Sequence, residues 1–107
     1  MTDKIIVLTT CSSEEAAREL ANHLVELRLA ACVSVLPASS HYRWKGAVEQ
    51  AQEWMLMIKS ARGLYQDLQR EILRVHKYEL PEVIAMVVAD GSPLYLSWID
   101  ESLQSTT

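Results

Sequence analysis

The densest polar chemistry in the chain is one short run, His76-Lys77-Tyr78-Glu79-Leu80-Pro81-Glu82, which sets an imidazole, a phenol and two carboxylates side by side. The imidazole could ligate a transition metal or move a proton, with Glu79 or Glu82 orienting its second nitrogen. A plainer role suits the same residues: His76 offsets a helix dipole as a cation, and the carboxylates are merely solvated. Cys11 is the other soft donor. It stands where a strand gives way to a helix, a place at which the helix N-terminus favours a thiolate, although a lone cysteine is more often inert. Cys32 falls inside an apolar stretch and packs as a small hydrophobe. His23 lies mid-helix as an exposed or half-buried surface residue and His41 has no acid within three residues, so neither suggests a site. Histidines and cysteines nowhere pair at zinc-ligand spacing. The chain lacks a G-x-G-x-x-G turn, a phosphate loop, a G-x-S-x-G elbow and a carboxylate dyad on one predicted element. A protein that is not an enzyme is therefore expected.

Apolar periodicity predicts the elements that must hold these residues. Ile5-Ile6-Val7-Leu8 is short, continuous and β-branched, which reads as a strand buried on both faces. Ser12 followed by Glu15 is a capping-box pattern, and Ala16, Leu20, Leu24 and Leu27 predict a helix over 13–28. Ala31 to Leu36 and Trp54 to Ile58 read as the second and third strands. Between them, Pro37 to Glu53 is polar but carries His41, Tyr42 and Trp44 ahead of Lys45-Gly46, where glycine can supply a positive φ. That stretch is an extended hairpin arm rather than a loop. Leu64, Leu68, Ile72 and Val75 predict a second helix over 62–75, Val83 to Ala89 a fourth strand, and Ser92-Pro93 the start of a short helix. The Ser-Thr tail after Leu103 is expected to fray.

The order βαββαβ plus a C-terminal helix predicts an α+β, ferredoxin-like fold: a four-stranded antiparallel sheet with both crossover helices on one face. The strands are apolar on both parities, so the second face needs cover from the C-terminal helix and from another copy of the chain. An arm of about eight residues per strand reaches roughly 25 Å and is not stable alone in water. It is expected to lie against a neighbour, with Tyr42, Trp44 and Trp54 at the subunit boundary.

The whole chain, 1–107, is expected to be one domain, because half of 107 residues could not bury a core of its own. Half the residues are hydrophobic and 22% charged, the balance of a folded protein. A net charge of -4 works against binding to phosphate backbones, and an RNA-recognition module would need stacking aromatics that a chain without Phe does not offer. Two unpaired cysteines, no signal-like segment and no apolar run long enough for a membrane predict a cytoplasmic protein with neither nucleic acid nor membrane as partner.

Five stretches in register resemble the CutA family, the divalent-cation tolerance proteins: Ala30-Ala31-Cys32-Val33, Tyr42-Arg43-Trp44-Lys45-Gly46, Ile58-Lys59-Ser60, His76 to Glu82, and Tyr95-Leu96-Ser97-Trp98-Ile99. The resemblance implies a ferredoxin-like protomer in a tight homotrimer with wrapping arms, and a role in metal tolerance through copper or other divalent cations. It departs from the family pattern at Ser34, where Asn is common, and at Lys77, where proline is usual. Family copper ligation uses a cysteine at the end of the first strand and two adjacent histidines after the second helix. His76 matches the second histidine, Val75 replaces the first, Thr9 holds the cysteine position, and Cys11 stands two residues on. The implied metal ligands are thus His76 and Cys11, with Tyr78, Glu79 and Lys59 lining the cleft and with weak binding expected from so few soft donors. Other classes remain open: a PII-like signalling trimer binding a small ligand between subunits, an enzyme with His76 as general base, and a purely structural trimer.

Overall fold

The computed structural model describes residues 1–105. Strand β1 (Lys4–Cys11) is followed by helix α1 (Glu14–Glu26), strands β2 (Cys32–Trp44) and β3 (Ala47–Ala61), a 3-10 turn (Arg62–Leu64), helix α2 (Tyr65–Val75), strand β4 (Ile84–Val87) and helix α3 (Pro93–Ser102). The sheet runs β2-β3-β1-β4 with antiparallel pairing throughout, so the expected α+β architecture is present.

Register decides which side chains share a face. Val7 pairs with Ile58 and Thr9 with Leu56, while Val33 and Val35 pair with the same two β3 residues from the other side. These residues form the floor on which Ala17, Leu20 and Leu24 of α1 and Leu68 and Ile72 of α2 pack. Burial of such side chains stabilises by about 1.5–3 kcal/mol each, which makes this layer the main stabilising contact of the chain. Thr9 is the exception within it. Its hydroxyl is fully buried and has no hydrogen-bond partner among the described residues. Thr9→Val keeps the shape and removes the orphan, so it should raise the free energy of unfolding by about 1–3 kcal/mol in urea melts. A loss of stability would mean that the hydroxyl is bonded after all.

Helix α1 starts one residue later than its capping pattern suggests: Ser13, not Ser12, is the N-cap, and its hydroxyl accepts from the Ala16 amide at 3.1 Å. From Ser13 the side chain reaches the third helical residue, as N-cap geometry requires. The helix closes with the Leu29 amide on the Leu24 carbonyl at 3.1 Å, and Arg28 adopts the left-handed φ of 60° that this closure demands. Helix α2 also starts late. Among the described residues no side chain caps it, and 62–64 form a 3-10 turn first.

The predicted arm is real but continuous with its strands. β2 and β3 pair without a break from Cys32↔Lys59 to Trp44↔Ala47. Lys45 at φ 49° and Gly46 at φ 85° make the two-residue turn, the backbone a tight hairpin requires. The ribbon stretches the molecule to 44 × 25 × 21 Å. Its radius of gyration is 14.4 Å, against about 13 Å for a compact chain of this length.

Strand β4 is shorter than the predicted 83–89, covering only Ile5 to Leu8 of β1. The tail is less free than expected: the Gln104 amide donates to the Arg28 carbonyl at 2.9 Å. Thr106 and Thr107 of that tail lie outside the described residues.

Helix α3 meets one end of the second face. Lys4, buried, pairs with Asp3 and with Asp100 of α3, the latter at 2.8 Å, and the Lys59 ammonium donates to the Tyr95 hydroxyl at 3.0 Å. The rest of that face stays open in the single chain. Ile84 is 52% and Met86 44% exposed on β4, Leu36 is exposed on the opposite edge strand, and Tyr95 and Trp98 are exposed on α3.

Candidate functional site

At the end of α2 the chain turns sharply, since His76 caps the helix in an extended conformation (φ -73°, ψ 144°) while its amide still donates to the Ile72 carbonyl at 3.0 Å. The turn aims the imidazole at the end of β1. Its Nε2 lies 2.6 Å from the Thr10 carbonyl oxygen, and its Nδ1 accepts the Tyr78 amide at 3.1 Å. A carbonyl only accepts and a backbone amide only donates, so both contacts together assign the proton to Nε2 and leave the ring neutral.

Tyr78 continues the chain of contacts. Its ring packs against His76 with centroids 4.8 Å apart, and its hydroxyl donates to Oε2 of Glu53 at 2.8 Å. Glu53, on β3 where the arm leaves the body, is 8% exposed. Burial alone would push its carboxyl up, but hydroxyl donors from Ser40, Tyr78 and Thr10 outweigh that and hold it below the usual carboxylate range. Burial and then the Glu53 charge hold the Tyr78 phenol well above its ordinary value.

Because Glu53 titrates lower folded than unfolded, its contribution to stability is present above the unfolded carboxylate value and is lost as pH falls through the folded one. Tyr78→Phe removes a donor from this carboxylate. It should lower the free energy of unfolding by about 1–3 kcal/mol at neutral pH and move the onset of acid unfolding to higher pH. Unfolding curves for both proteins across the acid range check this, and superimposable curves would show the bond to be inconsequential.

Cys11 is 6% exposed, and burial followed by the negative Glu53 raises its thiol. Proximity to the α1 N-terminus, which favours a thiolate, is outweighed by loss of solvent and by a like charge.

Cys11, His76 and Tyr78 do come together, around a cleft of ≈ 270 Å³ walled also by Ala16, Leu20 and His23. Glu79 and Lys59 do not join them. Glu79 is exposed and faces Lys45 at the arm's turn, 3.9 Å away, because the run from His76 onward extends along the arm. Lys59 points to the other face of the sheet, toward Tyr95, since its parity is opposite to that of Ile58. On the arm, Tyr42 is exposed and Trp44 half-buried, with the Lys45 ammonium 5.7 Å from the Trp44 ring centroid. Trp54 packs against the core of its own chain, opposite Cys11 in the register.

Two residues of the site escaped the sequence. Glu53 shares a parity with Met55 and Met57, and a lone carboxylate on an apolar strand face was the available signal. His23, half-buried as expected but not read as part of a site, lines the cleft and lies with Nε2 2.6 Å from Glu71, which Arg74 also holds. Arg74 first and His23 second lower the Glu71 carboxyl to about 2.

The residues of one chain do not fit a transition metal. Both His76 nitrogens are engaged, the Cys11 thiol is disfavoured as thiolate, and among the described residues no group of three or more His, Cys, Asp or Glu side chains could hold an ion.

Comparison with known proteins gives a consistent result. The profile of the family described as CutA1 divalent ion tolerance protein matches residues 5–102. The divalent-cation tolerance protein CutA of Thermus thermophilus is 42% identical over 98 residues, covering 91% of this chain and 95% of that protein. The protein CutA of Mus musculus is 42% identical over 99 residues, 92% of this chain, and the chain spans 56% of that longer protein. The crystal structure of CutA from Xylella fastidiosa superimposes with a TM-score of 0.92 at 38% identity, covering 96% of this chain and 100% of that one.

Proposed function

The chain belongs to the CutA1 divalent ion tolerance family, and from that premise we propose that it works as a cytoplasmic homotrimer in divalent-cation tolerance, taking copper or another divalent cation between chains and catalysing no reaction. The observation that carries the trimer is the open second face. Ile84 and Met86 on one edge strand, Leu36 on the other and Tyr95 and Trp98 on α3 are all exposed, and exposed apolar surface of this kind marks an interface. The thirteen-residue β2 forms one edge of the sheet and ends in the protruding arm, an edge suited to pairing with another chain. A location in a reducing compartment is supported by Cys11 and Cys32, both free and on opposite faces of the sheet. Among the described residues no helix is long and apolar enough to cross a membrane.

A cation site between chains follows from the misfit within one chain, because ligands from neighbouring copies would supply the count that a single copy lacks. Nothing favours the PII-like reading. The three glycines lie apart, in the hairpin turn at 46, the 3-10 turn at 63 and ahead of α3 at 91, so they form no phosphate cradle.

Sedimentation and native mass spectrometry with and without copper test the proposal. One species at three times 12.1 kDa, persisting on dilution and gaining copper in a fixed ratio per trimer, is the expected result. A well-behaved folded monomer would overturn the assembly, and a trimer that takes up no divalent cation would overturn the cation site.

A further inference from the structure

A histidine ligates a metal through an in-plane lone pair, and its other nitrogen commonly donates to a carbonyl or carboxylate. His76 has half of that arrangement. Its Nε2–H donates to the Thr10 carbonyl at 2.6 Å, but the lone pair on Nδ1, the one left for a metal, is filled by the amide of Tyr78 at 3.1 Å. A cation entering at Nδ1 would expel that amide. One entering at Nε2 would have to strip its proton and break the bond to β1.

We propose that His76 is a positioning residue, a lock that fixes the turn after α2 against the end of β1, and not a metal ligand. The Nδ1 contact sets the backbone at Tyr78, and Tyr78 in turn delivers its hydroxyl to Glu53 at 2.8 Å, where β3 pairs with Ala38 of β2. One neutral ring thereby connects the end of α2, the end of β1 and the root of the arm. The lock lies within one chain and stands apart from the trimeric reading.

The test compares amide hydrogen exchange at Tyr78 and copper(II) titration in the wild type, His76→Ala and His76→Asn. Asparagine can offer its side-chain oxygen to the amide two residues on, as Nδ1 does, but is too short to reach Thr10 as well. The Tyr78 amide is expected to exchange at least about tenfold faster in His76→Ala and to return to within about threefold of the wild type in His76→Asn. Copper affinity is expected to stay within about twofold in all three proteins. Unchanged Tyr78 exchange in His76→Ala would overturn the lock, and so would a loss of copper affinity of about tenfold or more in both variants. If His76→Ala does not fold, a folded His76→Asn with a protected Tyr78 amide supports the proposal, and failure of both overturns it. Absence of copper binding in all three counts against the cation site proposed above, and the lock is then decided by exchange alone.

Discussion

Met86→Glu should leave each chain folded and abolish the trimer. Met86 lies on β4 beside Ile6 of β1, on the face that α3 leaves uncovered, and it is 44% exposed in the single chain. A carboxylate there costs a lone chain little, because water still reaches it. In an assembly that covers this face the same carboxylate is an unpaired buried charge, with a penalty of several kcal/mol, or about a thousandfold in association. Sedimentation paired with circular dichroism separates the two effects. The expected outcome is a monomeric species with an unchanged spectrum, and a trimer that survives the substitution would place the interface elsewhere.

Ile72→Ala should cost about 2–5 kcal/mol of stability, the range for truncating a fully buried aliphatic side chain and leaving a cavity. Ile72 is fully buried, seals α2 onto the sheet floor, and its carbonyl receives the His76 amide. The loss is therefore felt at the site as well as in the core. Leu73, one residue on and exposed, provides the control: Leu73→Ala should shift stability by no more than about 0.5 kcal/mol. Urea unfolding at one fixed protein concentration measures both, since dilution alone changes the apparent stability of an oligomer. Equal effects from the two substitutions would show that α2 is not packed as described.

Local signals in the chain determined the element order, the hairpin turn and the family. Alternation and helical spacing are properties of consecutive residues, so Ile5 to Leu8, the Leu20-Leu24 stripe and Leu68-Ile72 declared their elements and their buried faces. Gly46 declared the turn because a tight hairpin demands a positive φ there. Boundaries were less legible. Ser12 and Ser13 are chemically alike, and only the backbone geometry selected Ser13 as the cap. Strand pairing over long sequence separations decided the site: it put Lys59 on the face away from the cleft and brought Glu53 within reach of Tyr78. It also settled the chemistry of the two candidate ligands. Residue type made His76 and Cys11 soft donors, but a donor is available only if its lone pair is free and its charged form is tolerated. The Thr10 carbonyl that holds the proton on Nε2 and the Glu53 charge near a buried thiol are contacts between groups that no local pattern relates.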